Sequence, residues 1–148
     1  MFHQAPYSNL AIIELESPVE LDEKAKIVRV AEEWLSVDDT VLTLGWGMTS
    51  EGTSPSVLQK VQLRVSKVER SWLSLGLTYT DFGKNANNTP VNLCAAVGGG
   101  PLLAQRNGEW LLYATLDVWR GNCETTNSWS PLAPYMDWIQ KFIYKPGA

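Results

Sequence analysis

Asn107-Gly108 separates two apolar runs, Leu102 to Gln105 and Glu109 to Leu116, and no other local feature constrains the path of the chain as tightly. Asn and Gly tolerate the positive φ angles that both central positions of a type I′ turn require, and the twist of that turn matches paired strands. An antiparallel hairpin is expected there. Val61, Leu63 and Val65 alternate with Gln62, Arg64 and Ser66, the period-two pattern of a strand with one face buried and one wet. Ala11 to Leu15, Ile27 to Ala31 and Val41 to Gly45 are further short aliphatic runs. Gly, Ser, Thr, Asn and Pro accumulate between Thr49 and Ser56 and between Asp81 and Thr89, which reads as loop. The one expected helix is terminal. Pro134 suits a first-turn position, and Tyr135, Trp138, Ile139 and Phe142 share one face, a stripe suited to docking on the sheet.

Composition agrees with a folded all-β unit and excludes several function classes. The chain has 148 residues, 45% hydrophobic and 19% charged, with seven Trp, enough for one good core in a single unit. Trp34, Trp72, Trp110 and Trp129 carry no assigned chemistry, and packing is the default for each. A net charge of −4 and a pI near 5.0 argue against nucleic-acid binding. No apolar run approaches the roughly 20 residues of a membrane span. Residues Met1 to Tyr7 do not form the basic-then-apolar pattern of a signal peptide. No internal repeat, metal-ligand cluster or phosphate-cradling Gly motif is visible, so no cofactor is expected.

The run Cys94-Ala95-Ala96-Val97-Gly98-Gly99-Gly100-Pro101-Leu102-Leu103 taken alone marks a tight turn or a close backbone approach. It also resembles the nucleophile loop of chymotrypsin/trypsin-like serine peptidases (peptidase S1), which reads Cys, two residues, Asp, Ser, Gly, Gly, Pro and then an apolar strand. Other landmarks follow in the family's order. Ser8-Asn9-Leu10-Ala11-Ile12-Ile13-Glu14-Leu15 resembles the strand that carries the catalytic Asp. Leu44-Gly45-Trp46-Gly47 matches the Gly-Trp-Gly that opens the second barrel. Leu116-Asp117-Val118-Trp119-Arg120-Gly121-Asn122-Cys123 resembles the substrate-binding strand, and Pro131 to Ile139 the entry into the terminal helix.

This resemblance implies a chymotrypsin-like antiparallel β-barrel, mainly the C-terminal barrel plus one strand of the first, with a C-terminal helix. The whole of 1–148 would be a partial peptidase domain. About 1–30 would be a remnant of the first barrel and linker, about 31–133 the second barrel, and 134–143 the helix. It also implies that the catalytic groups are missing. Gly98 stands for the nucleophilic Ser, Asn9 for the Asp that orients the histidine, and Val97 for the Asp preceding the nucleophile. Glycine has no hydroxyl to attack a carbonyl. A carboxamide cannot supply the charge that stabilises an imidazolium, and a Val cannot compensate the buried ammonium of an activated terminus. His3 lies too near Asn9 to match the catalytic histidine motif and is read as exposed and non-catalytic.

The resemblance places a specificity pocket at Asn92 (floor), Val118 and Trp119 (substrate-binding strand) and Arg120 and Asn127 (walls). The long Arg120 and the Asn127 amide should narrow or fill it, unless loop lengths shift the register. Cys94 and Cys123 fall where the family has a disulfide, and buried free thiols are the alternative. Closing about 30 residues contributes roughly 3 kcal/mol or more in the chain-entropy model. A disulfide implies an oxidising compartment, and extracellular localisation follows by resemblance although this chain shows no signal peptide. Asn87-Asn88-Thr89 has the form of a glycosylation acceptor, weakened by Pro90.

Three readings compete. The first is a secreted binding or regulatory module that has lost proteolysis, with another protein as its partner. The second is an enzyme whose histidine comes from a separate chain, which would still find no hydroxyl at Gly98. The third is a truncated product of a serine endopeptidase gene. A missing first barrel or self-association would cover an exposed apolar face.

Overall fold

Residues 1–6, 8–46, 55–70, 76–81, 98–117 and 127–143 are described by a computed structural model. In chain order its strands are β1 (Phe2–Gln4), β2 (Ala11–Ile13), β3 (Arg29–Val30), β4 (Thr40–Gly45), β5 (Gln59–Glu69), β6 (Leu77–Thr80), β7 (Pro101–Arg106), β8 (Glu109–Leu116) and β9 (Asn127–Pro131). A 3-10 turn at Ala133–Tyr135 then leads into the helix α1 (Met136–Ile143).

The local expectations become the wall of a barrel. Asn107 and Gly108 have φ of 51° and 80°, and Arg106 faces Glu109 across the β7–β8 hairpin they close. In β5 the alternation holds, with Val61, Leu63 and Val65 buried and Gln62, Arg64 and Ser66 exposed. Pairing runs β8–β7–β4–β5–β6–β9 and returns from β9 to β8. All six contacts are antiparallel, so six strands form a closed barrel with no free edge in its wall. The all-β architecture, the antiparallel barrel and the C-terminal helix expected from the sequence are thus what the chain adopts.

Neither periodicity nor turn chemistry marks β1, β6 or β9 as strands, and Ile27 to Ala31 contributes only the two residues of β3. That short strand lies parallel to β8, with Arg29 and Val30 opposite Leu111 and Leu112, before β9 joins β8 at Ala114. Inside the barrel, Val41, Val61, Leu63, Val65, Leu102 and Trp129 belong to one core cluster. Trp129 is fully buried and its indole N–H donates to Thr80 Oγ1 at 3.0 Å. A second cluster, Ala5, Leu10, Leu132, Tyr135 and Ile139, docks the turn before β2 and the helix outside the barrel. Trp138 and Phe142 are partly buried on the same helical face. The β1–β2 ribbon therefore lies beside α1, joined to the barrel through this outer cluster.

Candidate functional site

The end of β8 gathers residues that are far apart in sequence. Leu116 donates its N–H to the Gly100 carbonyl at 2.8 Å, and Gly99 donates to the Leu116 carbonyl at 3.1 Å. The Gly98–Gly100 turn is thereby held against the strand. Gly99 has φ +78°, while a Cβ added there would touch nothing within 4 Å. Backbone conformation, not space, is what demands glycine at that position. Gly98 itself is exposed and presents only main chain.

The next residue, Asp117, is the charge at this place. It is 3% exposed. Its Oδ2 accepts from Ser130 Oγ at 3.1 Å and its Oδ1 from Asn9 Nδ2 at 3.4 Å, across 108 residues of chain. The main chain is pinned as well, because Asp117 N–H donates to the Ser128 carbonyl at 2.9 Å and Ser128 Oγ donates to the Asp117 carbonyl at 2.8 Å. A buried carboxylate needs such donors, since burial without hydrogen bonds is costly. Asn9, the glycine turn and Asp117 so converge on one strand end. Within the motif Leu116 to Cys123 nothing local marks Asp117 for this role. The available signal was a carboxylate placed directly after the apolar run of β8, with Ser128 and Ser130 alternating on a later segment.

His3 does not join this cluster. It lies on β1 opposite Ile12, with Nε2 3.1 Å from Glu14 Oε2 and its ring centroid 4.5 Å from that of Phe142. The expectation of an exposed histidine is corrected: the ring is partly buried because the ribbon lies against α1, and Glu14 and Phe142 are its neighbours.

Of the expected pocket positions, Asn127 is described. It opens β9 opposite Thr80 and is almost wholly buried, its Nδ2 donating to the Asp81 carbonyl at 3.0 Å while Oδ1 has no hydrogen-bond partner among the described residues. Asn92, Val118, Trp119, Arg120, Val97, Cys94, Cys123 and Asn87 lie outside the described residues, as does Trp72. Trp34 is partly buried with the Arg70 guanidinium over its ring at 5.4 Å. Trp110 lies on the exposed side of β8 rather than in the core.

A second polar group sits by the β7–β8 turn. Tyr113 donates its hydroxyl to Glu33 Oε1 at 2.6 Å, and Arg106 bridges Asp39 Oδ2 at 2.7 Å while lying over the Tyr113 ring. Burial, helped by the bond to Glu33, pushes the Tyr113 hydroxyl up to about 12. Among the described residues no group of His, Cys, Asp and Glu is arranged to hold a metal ion. No described helix is long and apolar enough to cross a membrane.

A barrel of this topology, with a glycine turn and an Asn-bearing strand meeting at one strand end, can be compared with known families. The family model for trypsin matches residues 3–139. The chain belongs to the trypsin family. Transmembrane protease serine 11C of Mus musculus is 27% identical to this trypsin-family chain over 148 positions, which cover 89% of the chain and 33% of that protein. The chain thus spans about a third of the length of this curated relative.

Proposed function

We propose that this trypsin-family chain is a proteolytically inactive, extracellular binding or regulatory module. The observation that carries the reading is Gly98. In the family frame it occupies the nucleophile's position, and it presents exposed main chain with no oxygen, sulfur or nitrogen nucleophile on a side chain. Two further features support it. Asn9 offers a carboxamide where the family uses a carboxylate. Asp117, the carboxylate beside it, is already engaged by Ser130 and Asn9. An imidazole brought by another chain would still have no hydroxyl at Gly98 to deprotonate. On this reading Cys94 and Cys123 form a disulfide, Asn92, Val118, Trp119, Arg120 and Asn127 surround a narrowed pocket, and loops of the rigid barrel contact a partner protein.

Gly98→Ser is the discriminating variant. It should regain no turnover of fluorogenic peptides, because Asn9, Val97 and a catalytic histidine would each remain uncorrected. Activity regained from that one change would overturn the reading. The competing account, a truncated product of a serine endopeptidase gene, predicts transcripts that encode an intact peptidase in which this segment is replaced by one with His, Asp and Ser.

A further inference from the structure

We propose that the outer face of the β1–β2 ribbon is a self-association surface that packs against the same face of a second copy of this chain. Side chains of a strand alternate between two faces. In this ribbon the inward face carries His3, Ile12 and Glu14, with His3 Nε2 against Glu14 Oε2, and the outward face is apolar. Ile12 turns inward, where it packs beside Leu10 and Ile139. On the opposite side Phe2 and Ile13 are directly paired across the strands and are 66% and 72% exposed, with Leu15 two residues on from Ile13 at 60%.

A two-stranded ribbon is marginal unless another layer packs on it, and a contiguous exposed apolar face marks an interaction surface. Met1 and Ile143, 78% and 54% exposed, flank the same patch. The Met1 carbonyl accepts from the Glu14 N–H, and Ile143 lines with Ile13 a groove of about 580 Å³ between the ribbon and α1.

Area and charge favour a second copy as the occupant. At about 100–150 Å² of exposed surface each, five large apolar side chains present on the order of 600 Å². A standard interface takes about 800 Å² per partner and a homodimer interface is about 65% apolar, hence roughly 520 Å² of apolar surface from each side. The patch is large enough for a stable dimer without any further element. The outward set Phe2, Gln4, Ala11, Ile13 and Leu15 holds no charged side chain. The Met1 ammonium, which donates to the Glu14 carbonyl, sits at the edge of the patch, so two chains of net charge −4 can meet there without charged side chains at the centre. A two-fold axis makes such a patch complementary to itself, with the paired ribbons packing face to face about 10 Å apart.

Sedimentation velocity over a concentration series tests this. The wild-type chain should show a reversible monomer–dimer equilibrium, and Phe2→Glu and Ile13→Lys should each weaken it by roughly tenfold or more. Val57→Lys, at another exposed apolar side chain, should leave it unchanged, and near-ultraviolet circular dichroism should show the same fold in all variants. A wild type that stays monomeric at every concentration would overturn the proposal. So would a dimer indifferent to Phe2→Glu and Ile13→Lys, or a monomer whose ribbon is protected from amide exchange only when a different β-domain is added.

Discussion

Asn9 Nδ2 lies 3.4 Å from Asp117 Oδ1, so the residue two before β2 donates to the carboxylate just past the end of β8. On the proposed reading Asn9 replaces an acid, and Asn9→Asp would set two carboxyl groups face to face. Repulsion between like charges is screened where one of them is exposed, as residue 9 is, so the cost at neutral pH should be about 1 kcal/mol. Protonating either carboxyl removes the repulsion, so the loss is largest at neutral pH and shrinks as pH falls through the carboxylate range. Thermal melts of Asn9→Asp at two pH values, with Asp117→Asn as the rescuing second change, measure it.

Asp117→Ala removes the acceptor for Ser130 Oγ and Asn9 Nδ2. A buried hydroxyl left without its partner costs roughly 1–3 kcal/mol. Urea denaturation should show a lower midpoint with an unchanged slope, since the loss is local and the surface exposed on unfolding is the same.

Trp129 fills the barrel and bonds Thr80. Trp129→Ala should cost about 3–5 kcal/mol through the cavity it leaves. Trp129→Phe keeps most of the volume and loses the indole donor, so it should cost less. Intrinsic fluorescence and denaturant midpoints compare the two.

Gly76 has φ +77°, and a Cβ there would meet the Glu69 carbonyl oxygen at 2.3 Å and Trp34 Cη2 at 2.6 Å. Gly76→Ala should therefore destabilise by more than the ~1–2 kcal/mol of a left-handed alanine alone, because main chain has to move. A lowered melting temperature with a shifted Trp emission is the expected readout.

The Tyr113 hydroxyl, raised to about 12 by burial and the Glu33 bond, makes stability depend on alkaline pH. An unfolded tyrosine titrates near 10, so between that value and the folded one the unfolded state gives up its proton first and stability falls as pH rises. Tyr113→Phe should flatten that limb. Ultraviolet difference titration should lose a transition near pH 12 in Tyr113→Phe.

The β7–β8 hairpin was legible because Asn107-Gly108 encodes its turn locally, and β5 because its alternation is a local property of half-buried strands. β6 and β9 were not. Their sequences, Leu-Thr-Tyr-Thr and Asn-Ser-Trp-Ser-Pro, are largely polar yet buried, and such residues become strands only because partners across the barrel satisfy them, as Thr80 does Trp129. β3 depends on Leu111 and Leu112, some eighty residues away, which no local pattern announces. At the site, Asn9 and Gly98 were found through motif order, whereas Asp117 acquires its place only when Ser130 and Asn9 close around it.

Incubating the purified wild-type chain with fluorogenic peptides and a serine-directed covalent probe tests the central claim most directly. No turnover and no labelling are predicted, because on the proposed reading Gly98 stands where the family has its nucleophile. Peptide hydrolysis coupled to labelling at any residue of this chain would contradict it.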